Sequence, residues 1–532
     1  MRLNMHGPSR VSGEFGPDAI NVDPYAGASF NNKTILPLDG DNSVLSHLYT
    51  GQTIDVPSDG VITYGFYTGT HALGLNNNPH YGEGPGYVPF TDEQKAAAID
   101  AVTLWDDLIP QSFVNVGNVS ESEWARGEAD ILLASTSSGP AQAWAYYPGG
   151  THAQERISSD VWVADPAVNT SNAAFDFGEY GRTTLIHELG HTLGLSHPGD
   201  YNYSADNDGD GQPDPITYAN NAEYFQDSQQ YTIMSYFGGW ETFGAPVDWN
   251  HSGGVFFDNS PQGPMLHDIY AIQTAYGADE TTRADATTYG FHSNADNALY
   301  DFNQNSLPYF ALYDAGGEDT IDLSGFTASQ YLNLNAGAFS SIGDVTLSQE
   351  QLGQGVYDAY LALGQDLHEA GYTDSDLGAI SLGWLGDTEA ANAAAIAADT
   401  GVSGIGTVNY ETFAIAYGTT IENAVGGQGR DLLVGNAADN KIDGQGGDDV
   451  LTGGAGSDLF IFADNGSTDT ITDFQTGVDK IDLSQIFDLS EADVSYNATT
   501  HQVQVDTDHN GVADLFIDSM HVVNSGDYLF HG

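Results

Sequence analysis

The stretch HELGHTLGLSH, residues 187–197, carries three histidines, one glutamate and two glycines. On a helix, His187 and His191 are four residues apart and lie on one face, so two imidazole nitrogens can converge on one metal ion. Gly194 can adopt a positive φ, which would end the helix and turn the chain so that His197 reaches the same metal. Three neutral histidines leave one coordination position open, which is the arrangement of a catalytic zinc site.

Glu188 lies beside these histidines, and we assign it as the general base that activates water. A helix with incidental surface histidines is the alternative interpretation. The chain has 16 histidines and 64 glycines among 532 residues, so the five fixed positions would recur on the order of once in ten thousand shuffled chains. The spacing therefore favours the zinc site.

Two helices and a strand are predicted around this motif. Residues 90–109 start with a capping box of Thr91 and Gln94 and continue as an amphipathic helix. The inward positions predicted for this helix are Ile99, Val102, Trp105, Leu108 and Ile109. Residues 128–136 predict a strand. The second helix follows residue 179, and its inward positions are Leu185, Leu189 and Leu193.

The composition excludes several classes of partner. The chain has 74 acidic residues against 11 Lys and Arg, a formal net charge of -63, so nucleic acid and anionic membranes would be repelled. Calcium suits this charge better. There are no cysteines, so stability must come from packing or bound metal. No apolar run of about 18 residues predicts a membrane span. The acidity fits either saline surroundings or export without an N-terminal signal.

The composition of the sequence changes near residue 276. Before it, the patterns predict mixed helices and strands; after it, Gly, Asp and Asn are frequent and apolar residues occur in short triplets. We divide the chain into an N-terminal segment (1–60), a first domain (61–275) and a second domain (276–532). Residues 345–405 interrupt the second domain with Ala-rich sequence that favours helix, and we assign this insertion no function.

Four nonapeptides follow one another at residues 426–461: GGQGRDLLV, GNAADNKID, GQGGDDVLT and GGAGSDLFI. Glycines at the turns let the backbone wind in half-turns, and two repeats complete one coil, so residues 18 apart stack. The sixth positions thereby pair Asp431 with Asp449 and Asn440 with Asp458, across gaps that suit calcium. The eighth positions are the apolar Leu433, Ile442, Leu451 and Phe460. A flexible Gly-Asp linker is the alternative interpretation.

The motif resembles a known family. HELGHTLGLSHPGDYN (187–202) resembles the metzincin motif, and its Ser196 and Pro198 are similar to those of the serralysin branch of secreted bacterial metalloendopeptidases. YTIMSYF (231–237) resembles the Met-turn of that family. Similar stretches continue over most of the chain: TYGFY (63–67), AQAWAYYPG (141–149), LYDAGGEDTIDLSGF (312–326), the nonapeptides and DTITDFQTGVDKIDLS (469–484).

The resemblance implies a fold and an activity. The fold would be an α+β zincin catalytic domain with a mixed sheet and two long helices, followed by an all-β parallel β-roll or sandwich. The activity would be broad-specificity, zinc-dependent cleavage of extended polypeptides outside the cell, with substrate lying on an edge strand for which we select residues 128–136. Met234 would underlie the histidines, and Tyr236 would face the zinc and bind the oxyanion.

The same resemblance implies partners and processing. A monomer is expected, together with a type I secretion exporter and a proteinaceous inhibitor. The first sixty residues match the family pattern poorly, so residues 1–60 are a candidate prosegment without a defined end. With no cysteine, any latency must work without a thiolate on the zinc.

Calcium is implied at two places. At the junction of the domains the matching positions are Arg283 (through its carbonyl), Asp285, Thr287, Asp314, Gly316, Gly317, Asp319 and Glu422. In the repeats the candidate positions are Gly427, Gly429, Asp431, Asn440, Gly444, Gly447, Asp449, Gly454, Gly456 and Asp458.

Two further acidic loops, Asp206 to Asp214 and Asp506 to Asp514, resemble the front of a calcium loop but lack the bidentate glutamate of an EF-hand, whose place is taken by Thr217 and Ile517. A solvated loop is the alternative for both, and we select neither as a site.

Two rival functions remain. One is a calcium-dependent adhesion protein with an inert zinc domain, against which the intact Glu188 argues. The other is a serine hydrolase on similar repeats, but the chain has no G-x-S-x-G nucleophile elbow.

Overall fold

The computed structural model describes residues 29–30, 33–56, 58, 60–69, 86–120, 123, 129–149, 158–201, 215–243, 260–345, 347–362 and 366–531. Residues 1–28 of the predicted N-terminal segment and the acidic loop at 206–214 lie outside these described residues. A mixed α/β part comes first and a part rich in parallel strands follows. This order of a mixed α/β part and a part rich in parallel strands agrees with the coarse fold class predicted from the sequence.

The first part is built on a six-stranded mixed sheet with the order β5-β3-β6-β8-β7, in which β4 also pairs with β6. β4 and β7 run antiparallel to their neighbours, and the other pairs are parallel. A separate antiparallel pair, β1 and β2, precedes it. The strands are β1 Ser29–Phe30, β2 Lys33–Thr34, β3 Val61–Tyr67, β4 Tyr87–Val88, β5 Ser112–Val119, β6 Ile131–Thr136, β7 Ala143–Ala145 and β8 Asp160–Ala164.

The strand predicted at 128–136 forms as β6, but its selection as the substrate-binding edge was wrong. β6 pairs with β3 and β4 along one side and with β8 along the other, and all six of its residues are buried. A continuous apolar run such as ILLA is typical of a central strand covered on both faces. Among the described residues, β7 has β8 as its one partner and is the edge strand on this side of the sheet.

The helices of the first part are Val44–Leu48, Asp92–Asp106, Tyr180–Thr192, Tyr218–Asn221, Trp240–Phe243 and Leu266–Tyr276, with a 3-10 turn at Thr170–Ala173. We call Tyr180–Thr192 the histidine helix. Its Leu185, Leu189 and Leu193 are buried as predicted. Trp105 of the preceding long helix donates its indole N–H to the Ile186 carbonyl, at 3.1 Å, which fixes the two helices against each other.

The helix Asp92–Asp106 begins at Thr91 with the predicted capping box. One inward assignment on this helix was wrong: Ile99 is 39% exposed. Its buried stripe is centred on Ala98, Ala101 and Trp105, and Ile99 lies about 120° around the helix from Trp105. Small alanines therefore supply the close contact that the apolar pattern attributed to an isoleucine.

The C-terminal part contains two parallel-dominated sheets of seven strands, β25-β21-β19-β17-β15-β11-β9 and β12-β16-β18-β20-β24-β23-β22, and a three-stranded sheet β10-β14-β13. The strands are β9 Thr288–Gly290, β10 Phe310–Leu312, β11 Thr320–Asp322, β12 Tyr331–Asn333, β13 Phe339–Ser340, β14 Phe413–Ile415, β15 Asn423–Val425, β16 Leu432–Val434, β17 Lys441–Asp443, β18 Val450–Thr452, β19 Leu459–Ile461, β20 Thr468–Ile471, β21 Lys480–Asp482, β22 Val494–Asn497, β23 Gln502–Val505, β24 Leu515–Ser519 and β25 Tyr528–Leu529. Short 3-10 turns occur at Ala298–Tyr300, Glu491–Asp493 and Ser525–Asp527.

The register of the nonapeptides confirms the predicted coil. Leu432 pairs with Val450 and Lys441 pairs with Leu459, so partners are 18 residues apart and successive repeats alternate between the two sheets. The eighth-position residues Leu433, Ile442, Leu451 and Phe460 are all fully buried. Each repeat therefore contributes one strand and one core side chain.

The insertion at 345–405 forms the predicted helices, Gln349–Ala362 and Asp374–Thr400, which pack against each other. Ile396 of the second helix is buried with Leu432 and Val450 of the strands, so the hairpin covers part of one sheet. Within the described ranges, no helix has the length and apolar content that a bilayer crossing needs.

Candidate functional site

The three motif histidines come together at the end of the histidine helix. The Nε2 atom of His197 lies 3.1 Å from the Nε2 atoms of both His187 and His191. Gly194 has a φ of 106°, and this left-handed residue turns the chain as the sequence predicted. Three imidazole nitrogens that converge from one helix and the following loop fit a zinc ion.

Backbone carbonyls orient two of the rings. The Nδ1 atom of His187 lies 2.8 Å from the Ile233 oxygen, and the Nδ1 atom of His191 lies 2.7 Å from the Leu195 oxygen. Each Nδ1 therefore carries the proton, and each Nε2 presents a lone pair to the centre. Burial lowers the pKa of His187 to about 4. Burial and the neighbouring imidazoles lower the pKa of His191 well below its usual range. Both rings are thus neutral, as metal binding requires.

Glu188 is buried beside the histidines, with 6% of its surface exposed. Its Oε2 atom has no hydrogen-bond partner among the described residues. Burial raises the pKa of this carboxyl to about 8, which brings it into the range where a group can both accept and donate a proton near neutral pH.

Tyr236 lies on the other side of the histidine cluster, where its ring centroid is 4.5 Å from that of His197. Half of its surface is exposed. Burial of the rest raises its pKa, and the Glu188 carboxylate adds to this effect, so the hydroxyl keeps its proton and remains a donor. Tyr147 and Tyr180 are also partly exposed, and burial together with the Glu188 charge raises the pKa of each phenol.

Met234 lies under the histidine helix, fully buried. A Cβ atom added to Gly190 would approach the Met234 sulfur to 2.8 Å and the Trp105 ring to 3.2 Å, so this glycine is required for the close contact. The turn is fixed by the buried Asp268, whose carboxylate accepts from the Thr232 hydroxyl at 2.5 Å and the Ile233 N–H at 2.7 Å. The carbonyl of that same Ile233 orients His187.

A second buried carboxylate, Asp227, joins the turn to the third histidine. Asp227 Oδ1 accepts from the Tyr201 hydroxyl at 3.0 Å and the Ser235 hydroxyl at 2.8 Å. The Tyr201 ring stacks on His197 with centroids 5.7 Å apart. Burial raises the pKa of Asp227 and of Asp268 to about 7. The sequence reasoning missed both aspartates, because each is distant from the motif along the chain.

Several of the predicted junction residues are joined by hydrogen bonds. Asp319 Oδ1 accepts from the Thr287 N–H at 2.7 Å, while Glu422 Oε2 accepts from the Asp319 N–H at 2.7 Å. The carbonyls of Arg283 and Asp285 both accept from the Thr287 hydroxyl. Asp314 bonds the Gly316 N–H at 2.7 Å and accepts from the Tyr289 hydroxyl. A Cβ atom at Gly317 would lie 2.6 Å from Asp319 Oδ1.

One oxygen at this junction lacks a partner. Asp319 Oδ2 is buried and makes no hydrogen bond within the described residues. Burial, with the charges of Asp314 and Glu422, raises the pKa of Asp319 to about 7. A divalent cation that takes oxygen ligands would satisfy this group.

The nonapeptides form a ladder of carboxylates and an amide. The backbone N–H of Asp431 donates to Asp449 Oδ1 at 2.8 Å, and that of Asn440 donates to Asp458 Oδ1 at 2.9 Å. The second oxygens, Oδ2 of Asp449 and of Asp458, are buried without partners in the described structure. The turns between the strands hold all the predicted glycines: Gly427, Gly429, Gly444, Gly447, Gly454 and Gly456.

Each unpartnered oxygen of the ladder faces a turn glycine. A Cβ atom at Gly444 would lie 2.2 Å from Asp449 Oδ2. Burial raises the pKa of Asp449 to about 9 and of Asp431 and Asp458 to about 7. Buried carboxyls with free oxygens beside backbone turns fit calcium.

The ladder continues past the last nonapeptide. Asp449 N–H donates to Asp469 at 3.0 Å, and Asp458 N–H donates to Asp479 at 3.1 Å. These two aspartates were missed because their spacing from the preceding rung is 20 and 21 residues rather than 18. The stretch DTITDFQTGVDK, which contains both, was the available signal.

The acidic loop at 506–514 joins β23 to β24. Carboxylate oxygens of Asp506, Asp508 and Asp514 all lie within 4.8 Å of one another. Asp506 accepts from the Gly511 N–H at 2.7 Å, and Asp514 accepts from the Thr507 N–H at 3.0 Å. These bonds close the hairpin loop between β23 and β24.

The family model described as "Peptidase M10 serralysin C terminal" matches residues 278–351 and 396–529. Its gap falls on the helical hairpin. Serralysin of Photorhabdus luminescens is 35% identical over 421 residues, covering 76% of this chain and 68% of that protein. Metallopeptidase AprA of Pseudomonas marginalis is 34% identical, covering 86% and 83%. Serralysin of Proteus mirabilis is 31% identical, covering 87% and 86%. With its histidine triad, the chain therefore belongs to the serralysin family of M10 zinc metalloendopeptidases.

Proposed function

We propose that this protein is a secreted endopeptidase that cleaves extracellular polypeptides with broad specificity and is stabilised by calcium. The convergence of three Nε2 atoms beside a buried, partner-free glutamate oxygen carries the proposal. His187, His191 and His197 would hold the zinc. An inert adhesion domain would not need a glutamate kept in this state.

The substrate would bind in an extended conformation against β7. This short edge strand consists of Ala143–Ala145 and lies against the histidine helix. Backbone hydrogen bonds to an edge strand are independent of side chains, which supports broad specificity. The phenols of Tyr147, Tyr180 and Tyr236 would line the same cleft.

Zinc at the three histidines would supply a Lewis acid that polarises the scissile carbonyl. Glu188 takes the proton of the attacking water on its free oxygen and passes it to the leaving amine. The Tyr236 hydroxyl, protonated at neutral pH, donates a hydrogen bond to the oxyanion that develops. Met234, Asp268 and Asp227 touch no reacting atom and position these groups.

The calcium sites would lie in a β-roll formed by the nonapeptide coils. The unpartnered oxygens of Asp319, Asp449 and Asp458 support this assignment. At the junction, the ligands would be the carbonyl of Arg283 with Asp285, Thr287, Asp314, Gly316, Gly317, Asp319 and Glu422. Calcium would thus stabilise the fold.

Export as an unfolded chain fits a protein without cysteine whose second half needs calcium. Free calcium is low in a cytosol and millimolar outside cells, so the roll would form after export. A type I exporter and a proteinaceous inhibitor are the expected partners, and the protease would act as a monomer of domains 61–275 and 276–532.

The proposal is tested by measuring bound zinc and the cleavage of an unstructured protein such as casein. We expect one zinc per chain, loss of cleavage with a zinc chelator, and recovery when zinc is restored in the presence of calcium. Zinc binding without cleavage would favour the adhesion function instead. Cleavage that persists in the fully metal-free protein would exclude the zinc mechanism.

A further inference from the structure

The loop that delivers His197 is held by an N-terminal segment far away in the sequence. The backbone N–H and the hydroxyl of Thr50 both donate to the Gly194 carbonyl, at 3.0 Å and 2.8 Å. The Ser196 N–H donates to the Leu48 carbonyl at 2.7 Å, and its hydroxyl donates to the His47 carbonyl at 2.7 Å. We call residues 47–54 the clasp.

The two chains meet backbone to backbone. Tyr49 and Leu195 form an antiparallel bridge, and a Cβ atom at Gly194 would lie 2.1 Å from the Gln52 carbonyl oxygen. Gly194 is therefore required twice, once for its positive φ and once for this approach. The contact lies on the two residues that directly precede Ser196 and His197.

The clasp is also tied to the end of the catalytic part. The hydroxyl of Tyr276, the last residue of helix Leu266–Tyr276, accepts from the Ile54 N–H at 2.9 Å and donates to the Leu193 carbonyl at 3.0 Å. Leu193 follows the last turn of the histidine helix. One phenol thus joins the clasp, the histidine helix and the end of the catalytic part.

The clasp is anchored in its own right. Leu48 is fully buried and Ile54 is 8% exposed. The short helix Val44–Leu48 begins at Ser43 with a complete capping box. A rigid support of this kind can lower the entropy cost of ordering the loop between the second and third histidines.

We infer that the clasp is a positioning element of the zinc site, which holds the third ligand in reach of the other two. The inference rests on the proposed zinc role of His197. Partners that orient a ligand without touching the metal typically contribute a factor of about 10 to 100 in metal affinity. It follows that residues 47–54 would belong to the mature protease, so any maturation cleavage within the candidate prosegment 1–60 would fall before His47.

The test compares Thr50→Val with Thr50→Ser in the full chain. Valine keeps the shape of threonine and loses the hydroxyl bond to Gly194, whereas serine keeps that bond. We expect Thr50→Val to release zinc to a colorimetric chelator several-fold faster, and the double variant Thr50→Val/Ser196→Ala to release it about 10 to 100 times faster. Thr50→Ser should release zinc at the wild-type rate. When zinc is replaced by cobalt, this variant should have the same absorption spectrum as the cobalt-substituted wild type.

The results separate a positioning role from a structural one. If Thr50→Val and the double variant melt at lower temperatures when metal-free but release zinc at the wild-type rate, the clasp is only structural and the inference is wrong. If the wild type binds no zinc, the proposed function fails as well. A second measurement is the N-terminal residue of the active protease. A zinc-loaded, active form that begins after Ile54 would also overturn the inference.

Discussion

The histidine cluster at residues 187–197 and the carboxylate ladder at residues 426–461 differ in how the protein holds its candidate metal ligands. At residues 187–197, two ligands are neutral imidazoles whose Nδ1 atoms are bonded to backbone carbonyls. At residues 426–461, the candidate ligands include the carboxyls of Asp449 and Asp458, whose second oxygens are buried without partners in the described structure. The first set is held in place by the protein itself. In our proposal, a bound calcium ion would complete the second set.

The difference predicts different responses to metal loss. Neutral rings leave no buried charge behind, so removal of zinc should abolish activity and leave the surrounding structure largely intact. Ionised carboxylates stacked at close range repel one another and resist burial. Removal of calcium should therefore destabilise the second half of the chain, most strongly at the alkaline pH where these carboxyls ionise.

The largest effect should come from replacing Glu188, the carboxylate beside the three histidines. Glu188→Ala should lower kcat/KM for peptide hydrolysis by roughly 10² to 10⁴-fold, since general base catalysis is lost. Zinc content should stay at the wild-type value, because the three histidines remain. Quenched fluorescent peptides and zinc stoichiometry measure the two quantities.

Glu491→Ala, which removes an exposed glutamate of the second half, serves as the control and should match the wild type. A Glu188→Ala variant that turns over substrate at near wild-type rates would mean that another residue activates the water.

Tyr236→Phe should have the next largest effect. Loss of one oxyanion donor lowers kcat on the order of a hundredfold, and zinc content and KM should change little. Tyr180→Phe and Tyr147→Phe are matched controls, because these phenols also lie near Glu188. Equal losses in all three variants would assign the effect to the cleft rather than to Tyr236.

Local sequence predicted what local geometry determines. The spacing of HELGHTLGLSH sufficed for the cluster of histidines and the turn at Gly194, and the period of nine sufficed for the coil and its core residues. Long-range supports were not predictable in this way. Asp268, Asp227 and the clasp reach the site only through the fold, and no spacing links them to the motif.

In the first sheet, a central strand was wrongly selected as an edge strand. Residues 128–136 were predicted correctly as a strand, but the order of strands depends on pairing between distant segments. The buried run ILLA was a signal for a central strand that we did not use. The clasp, in turn, was hidden because the first sixty residues resembled the family pattern poorly.

The ladder should show the opposite pH dependence from an ordinary surface carboxylate. In the metal-free protein, burial raises the pKa of Asp449 from 3.8 to about 9 and of Asp431 and Asp458 to about 7. Between pH about 4 and about 9 the folded state thus binds more protons than the unfolded chain, so the free energy of unfolding falls as pH rises. Melting curves in chelator at several pH values measure this.

Exposed carboxylates are already ionised above pH about 5, so they contribute little to this slope. Saturating calcium is the control, and it should remove the slope because calcium binds the ionised form. A metal-free melting temperature that stays flat or rises from pH about 5 to about 8 would contradict the assignment of buried carboxyls.

The smallest effect should come from a single rung. Asp449→Asn keeps the oxygen that accepts from Asp431 and replaces the free oxygen by an amide. The metal-free melting temperature should change little, because the neutral form is favoured there already. The rise in melting temperature on adding calcium should shrink, because one charged ligand is lost.

Asp448→Asn is the matched control, since it removes the same charge from the adjacent, exposed position. Its calcium-dependent rise should equal that of the wild type. If both variants reduce the calcium-dependent rise in melting temperature equally, the overall negative charge of the region rather than a specific ligand would account for the reduction.

The most direct test of the comparison is a far-UV circular dichroism titration of the full chain. The protein is stripped of metal, loaded with zinc alone, assayed for bound zinc, and then titrated with calcium; sodium chloride replaces calcium in a parallel sample to test charge screening. We predict one bound zinc per chain before calcium is added, and, at a pH of about 8 where the ladder carboxyls ionise, a strand signal that is completed only when calcium is added. A complete strand signal with zinc alone, or full recovery with salt, would contradict the account.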